Sequence, residues 1–227
     1  MTEDAPRPRH RDGGLVAVVG RIARTSDGRA RFRTARGGRP PARAWMSLPA
    51  LLAHRRRSPA RRVPWIAPEA VRRLDRLAEP GWRVLEFGAG DSTHWFAARA
   101  ASVVSVETDR AWHARVAQDL ASSRLDNCEL LLRARGDVAA VARDFPDDHF
   151  DLIVVDCAES APGERIDCVR AAAGKVRPGG YLLLDDSDRP AYRGADEVLA
   201  GWAVARFVGM KPRPLAAVET SLYRRAP

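Results

Sequence analysis

The stretch Val84-Leu85-Glu86-Phe87-Gly88-Ala89-Gly90-Asp91-Ser92-Thr93 decides the reading of this chain. An apolar run ends in an acid, then come two glycines one residue apart, then hydroxyl residues suited to opening a helix. That order predicts a strand-to-helix turn in which a ligand can approach bare backbone. Glycine keeps Cβ atoms out of the way, and the following helix offers free N–H groups. The expected ligand is a nucleoside.

Outward from this turn, strands and helices alternate. Before it, Ala67-Pro68-Glu69 reads as a helix start, with Val71, Leu74 and Leu77 on one face and Pro80-Gly81 as the stop. A strand over 82–87 leads into the turn, and a helix follows from Ser92 or Thr93 to Ala101. Further strands are expected at 102–107, 129–133, 150–156 and 181–186. Helices are expected at 110–122, after Gly136-Asp137, at 163–176 and at 191–202. The run Phe150-Asp151-Leu152-Ile153-Val154-Val155 is almost continuously apolar, as a strand covered on both faces should be. Two last strands, 204–209 and 216–224, have no clear helix between them and read as an antiparallel edge pair. The fold class is therefore α/β: a doubly wound, seven-stranded, mostly parallel sheet with an antiparallel terminal strand, preceded by a basic N-terminal extension.

The chain has 227 residues and a formal net charge of +9. Residues 1–62 hold sixteen arginines against four acids, so the excess sits in an extension, and 63–227 form a mildly acidic domain. Within the extension, 15–23 and 29–34 could pair as a hairpin across Thr25-Ser26-Asp27-Gly28, and a short helix is expected from Ser47 to Arg56. Of 38 basic residues only Lys175 and Lys211 are lysines, a bias that looks compositional rather than tuned to a polyanion. Nucleic acid is accordingly disfavoured as a partner, and a solvated extension, an oligomer contact or a substrate lid are the other readings. No apolar run approaches the length of a membrane span. Three cysteines without a C-x-x-C pair suit a reducing cytoplasm and no disulfide framework.

In a doubly wound sheet, ligands bind outside the carboxyl ends of the strands, where strand order reverses. Acids cluster there: Glu86, Glu107, Asp156 and Asp185, with Asp137 close after the third strand. A dinucleotide fingerprint would need a third glycine or alanine where Thr93 stands, which argues against a nicotinamide cofactor. Glu107 is placed to accept hydrogen bonds from a ribose, and Asp137 from an exocyclic amine, although Asp137 could equally cap a helix.

With these residues in place, the chain over about 65–225 resembles the class I S-adenosylmethionine-dependent methyltransferases. Glu86-Phe87-Gly88-Ala89-Gly90 is similar to their first motif, Val106-Glu107 to the ribose acid and Gly136-Asp137 to the adenine-side motif. Asp151 to Asp156 is similar to their fourth strand and Arg177-Pro178-Gly179-Gly180 to the turn before their fifth. Phe87 to Thr93, Val106 to Trp112 and Leu184 to Pro190 look like a bacterial branch of the class. The resemblance implies S-adenosylmethionine as cofactor. Gly88 and Gly90 would border its methionine part, Glu86 its amine, Glu107 the ribose and Asp137 the adenine, with Ser92 and Asp156 completing the set. Asp156, Asp185 and Asp186 are also similar to the metal-binding acids of catechol O-methyltransferase-like enzymes, which would imply Mg²⁺. The plainer reading is three ordinary strand-end acids.

Candidate catalytic residues are Asp156, Asp186 and His94, the last because a histidine can act as a base near neutral pH. Trp65 and Trp112 could cover a ligand or belong to the core. The expected reaction is methyl transfer to an O or N nucleophile of a small-molecule acceptor, by a protein away from membranes, with a homodimer as a candidate assembly. An RNA or protein methyltransferase using the arginine-rich extension, an aminopropyltransferase and a non-catalytic cofactor-binding subunit are the alternatives.

Overall fold

The computed structural model describes Thr34, Arg36 and residues 62–159, 163–212 and 215–227. The hairpin and short helix expected within residues 15–56 lie outside the described residues. At its two described points the extension meets the domain: Thr34 is buried, and Arg36 pairs with Asp196 and Glu219.

The elements in order are α1 (Pro68–Leu77), β1 (Arg83–Phe87), α2 (Asp91–Ala97), β2 (Ser102–Glu107), α3 (Arg110–Ser122) and β3 (Cys128–Leu132). After a 3₁₀ segment (Val138–Asp144) come β4 (Phe150–Val155), α4 (Glu164–Ala172), β5 (Val176–Leu184), α5 (Ala195–Val198), β6 (Ala203–Pro212) and β7 (Leu215–Arg224). The strands form one sheet in the order β3-β2-β1-β4-β5-β7-β6. β1 to β5 pair in parallel, and β7 runs antiparallel to both β5 and β6. The terminal pair, expected as an antiparallel edge, extends further toward its turn than the sequence suggested, with Pro212 opposite Leu215.

Alternation along the strands fills both faces. On β4, Leu152 and Val154 pack with Ile66, Leu74, Trp95 and Phe96 of the α1/α2 layer. Ile153 and Val155 point the other way, against Val138, Val141, Ile166 and Val169 of the 3₁₀ segment and α4. Every residue of β4 is buried, which accounts for its apolar run. Strand order reverses between β1 and β4, and Phe87 there pairs with Val155, so the carboxyl ends of these two strands open side by side.

Three local expectations change. The segment after Gly136-Asp137 is a 3₁₀ segment rather than an α-helix. The helix expected over 191–202 shrinks to a 3₁₀ turn (Pro190–Tyr192) and the single turn α5, where Gly194 and Gly201, the latter at φ 86°, break the run. Pro178-Gly179-Gly180, read as a turn before the fifth strand, lies inside β5. Val176 already pairs with Phe150, and the register resumes at Leu152 with Tyr181. Asp151 fills this irregularity: it accepts from the Arg83 amide at 2.7 Å and from Arg177 Nε at 2.5 Å. Among the described residues no helix is long and apolar enough to cross a membrane.

Removing the Asp151 carboxylate leaves the Arg83 amide without that acceptor. Asp151→Ala should therefore cost about 1–3 kcal/mol, seen as a lower midpoint in thermal unfolding. A variant that melts with the wild type would show that the β5 irregularity holds itself.

Candidate functional site

The turn after β1 is built around Gly88. Its φ is 102°, and a Cβ there would stand 2.7 Å from the Asp156 carbonyl oxygen and 2.8 Å from Cys157 Cα. Only a residue without a side chain lets the β1 turn pass so close to the end of β4. Gly90 differs: its backbone is extended, and an added Cβ would lie 3.9 Å from the Trp112 ring, an ordinary contact. The protein itself does not require glycine at position 90.

Thr93, which stands where a dinucleotide fingerprint has its third glycine, is fully buried and ties the turn together. Its hydroxyl accepts from the Gly90 amide at 2.9 Å and donates to Glu86 Oε2 at 2.5 Å. Ser105 on β2 donates to the same Oε2 at 2.6 Å. Glu86 Oε1 is buried and takes no hydrogen bond among the described residues, although the Ser92 hydroxyl is near enough to favour the ionised form. Burial pushes the Glu86 carboxyl up to about 7, with the hydroxyls of Ser105, Ser92 and Thr93 pulling the other way.

Glu107 ends β2 and is buried. Its Oε1 accepts the amides of Thr108 at 2.6 Å and Asp109 at 2.8 Å, while Oε2 takes no hydrogen bond among the described residues. Asp137 is exposed at the start of the 3₁₀ segment and caps nothing. The neighbouring Gly136 amide is held by Glu164 Oε1 at 2.7 Å.

Between the β1 turn and β4 lies a cleft of about 440 Å³, open to solvent and lined by Trp65, Ala89, Gly90, Asp91, Ser92, Trp112 and Asp156. The two tryptophans are lips rather than core, 43% and 42% exposed. Each is aimed by its indole N–H, Trp65 to Asp91 Oδ2 at 3.1 Å and Trp112 to the Ala89 carbonyl at 2.8 Å. Of the three candidate catalytic residues, Asp156 lines this cleft. His94 is buried on α2, with Nδ1 3.2 Å from the Gly90 carbonyl and 3.4 Å from Arg62.

The structure does not assemble the expected magnesium site. Arg165 Nη2 lies 3.1 Å from Asp156 Oδ1, and Lys211 Nζ bonds both Asp185 and Asp186, the latter at 3.0 Å. Thr220 donates to the other Asp185 oxygen at 2.7 Å, and Arg189 pairs with Asp186. The three acids expected to share a metal are thus met by cations of the chain. Among the described residues no group of three or more His, Cys, Asp or Glu is placed to hold a metal ion. Arg165 also donates to the carbonyls of Cys157 at 2.8 Å and Asp185 at 2.9 Å, stapling the ends of β4 and β5.

This geometry belongs to a recognisable fold. A family model described as a methyltransferase domain matches residues 85–187. The chain carries a class I methyltransferase domain. The domain resembles the O-methyltransferase TomG from Streptomyces achromogenes, solved in complex with SAM: 21% identity, TM-score 0.54, covering 68% of this chain and 77% of that one. An rRNA methylase from Streptococcus thermophilus aligns at 12% identity and TM-score 0.55, covering 68% and 92%. A spermidine synthase, in complex with a transition-state analogue, aligns at 16% and 0.52, covering 66% and 57%. At these identities the likeness is one of fold. No curated protein matches the chain in sequence.

Sequence reasoning missed Arg62, Asp91, Arg165 and Lys211. Arg62 reaches Asp91 at 3.5 Å and Asp119 at 2.9 Å, bracing the start of α2. Lys211 had a signal in composition, as one of two lysines among 38 basic residues. Arg165 had none, since its partners are backbone carbonyls brought together by the sheet.

The two glycines should respond differently to substitution. Gly88→Ala meets backbone atoms and a positive φ, and is expected to cost about 2 kcal/mol or more. Gly90→Ala should leave the melting midpoint within about 0.5 kcal/mol of wild type. Thermal unfolding of the pair measures both, and equal destabilisation would contradict this division of labour.

Proposed function

We propose that the chain transfers a methyl group from S-adenosylmethionine to an O or N nucleophile of a small molecule. The observation that carries the reading is the buried, unpartnered Glu86 Oε1 beside a glycine, Gly90, whose missing side chain the protein itself does not need. A donor with an ammonium group and a compact tail explains both. Glu86 would face the amine, Gly90 and Ser92 would border the methionine part, and Glu107 Oε2 would take ribose hydroxyls. Asp137 is the residue suited to the adenine side by its place after β3. When bound, the donor supplies an electrophilic methyl on a sulfonium.

The chain's own part is mainly alignment and exclusion of water. Trp65 and Trp112 border the cleft with large, partly apolar faces held in place by their N–H bonds, suited to a small acceptor. Asp156 lies in the cleft and is braced by Arg165, so its carboxylate can accept the proton that leaves the acceptor's O–H or N–H. Asp186 is engaged by Lys211 and Arg189. His94, buried off the cleft, supports the turn through the Gly90 carbonyl.

Calorimetric titration with S-adenosylhomocysteine tests the donor. Wild type should bind, and Glu107→Ala should weaken binding about 10- to 100-fold, the worth of hydrogen bonds to a charged group. Absence of binding, or an undiminished Glu107→Ala, contradicts the reading. Tight binding without turnover across a broad acceptor panel would instead favour a cofactor-binding subunit.

Affinity should also depend on pH. The Glu86 carboxyl stands at about 7 in the free protein, and an ammonium beside it favours the ionised form. Binding below pH 7 therefore releases a proton, and affinity rises from pH 6 to 8 before levelling. Glu86→Gln should flatten that profile. A wild-type affinity that falls over this interval would contradict the placement of the amine.

A further inference from the structure

Three carboxylates end β4 and β5, and the described structure sets three cations of the same chain against them. Asp156 faces Arg165, Asp186 faces Arg189 and Lys211, and Asp185 faces Lys211. Asp185 is fully buried, and both its oxygens are used, one by Lys211 Nζ and the other by the Thr220 hydroxyl. A hard divalent cation needs several oxygen ligands converging with negative charge to spare. Here the formal charges cancel, and the ammonium stands where that cation would have to enter.

Lys211 arrives from the far edge of the sheet. It sits opposite Ala216 in the β6–β7 pairing, and its side chain is 11% exposed. β7 carries Thr220 to the same carboxylate, so the terminal hairpin delivers both partners of Asp185. Burial works against the ammonium, but Asp185, Asp156 and Asp186 outweigh it and hold the lysine protonated. Burial raises the Asp185 carboxyl, and Asp156 adds to this, while Lys211 pulls it back. Asp186 ends below the ordinary range, because Lys211 and Arg189 together overcome its burial.

We propose that the Lys211 ammonium is the built-in cation of this site, taking the position of a divalent metal and fixing Asp185 and Asp186 for a metal-independent reaction. That the reaction is methyl transfer rests on the function proposed above; the exclusion of the metal does not. Lys211 is a positioning residue, acting through the two aspartates. A lysine offers three donors on one compact charge, which suits bridging two neighbouring carboxylates. It cannot draw two acceptor oxygens into one coordination shell, as a metal can.

The test is a calorimetric titration of Mn²⁺ into the metal-free full chain, with melting followed in parallel. Wild type should give no saturable heat, and its midpoint should not move. Lys211→Met leaves two carboxylates without their cation; it should melt lower in chelator and gain a Mn²⁺ site. At about 100-fold excess over its dissociation constant, Mn²⁺ should raise that variant's midpoint by about 5 °C or more. Lys211→Arg, which keeps the charge, should remain indifferent to Mn²⁺. One-to-one Mn²⁺ binding by wild type, lost in Asp185→Asn, overturns the proposal. So does a Lys211→Met chain that melts with wild type and ignores Mn²⁺. Should Lys211→Met fail to fold, the wild-type and Lys211→Arg titrations decide alone. S-adenosylhomocysteine titrated into the same wild-type sample reports separately: failure there removes the donor reading and leaves the Mn²⁺ result standing.

Discussion

The closest constraint in this molecule is the passage of Gly88 over the end of β4. A side chain there would overlap the Asp156 carbonyl and Cys157. Because it is bare, the β1 turn and the β4 end lie together, and the reversal of strand order becomes a cleft rather than a gap. The rest of the site hangs on that approach. Phe87 accepts the Asp156 amide at 2.9 Å, and Gly88 donates to Val106 at 2.8 Å, so β1 is locked to both neighbours at the level of the turn. Thr93 and Ser105 then hold one oxygen of Glu86 and leave the other buried without a partner. An orphaned carboxylate oxygen in a protein interior costs stability. Its persistence here is what a ligand cation would explain.

A second constraint is charge balance at the ends of β4 and β5. Breaking one member of a buried ion pair is costly, because the partner is left uncompensated. Arg165 and Lys211 are therefore structural as well as electrostatic. Arg165 ties two carbonyls from adjacent strands, and Lys211 links the edge hairpin to the central strands through Asp185. The outer strands, which contribute nothing to the glycine turn, help define the chemistry by supplying this charge.

Much of the fold was legible in the sequence because periodicity and punctuation are local signals. The strands to 184, the glycine turn and the antiparallel end all follow from apolar runs bounded by glycine, proline and acids. The losses were also physical. Pro178-Gly179-Gly180 reads as a turn, yet β4 extends far enough to pair with Val176 before it, and only Asp151 shows why. The helix expected over 191–202 fails because two glycines interrupt it. In the site, strand-end acids were legible one by one, but their partners were not. Lys211 lies 25 residues from Asp186 in sequence and reaches it only through the hairpin. An acid trio without its cations resembles a metal site, and with them it does not.

The central claim is that the Gly88-Ala89-Gly90 turn and Glu86 hold the methionine end of a methyl donor. The most direct measurement is a crystal structure of the chain with S-adenosylhomocysteine. The account predicts the ligand's amine on the Glu86 side of the cleft, its ribose hydroxyls on Glu107, and backbone contact at Gly90. A ligand seated elsewhere, or one that leaves Glu86 Oε1 unpartnered with its amine in solvent, would contradict it.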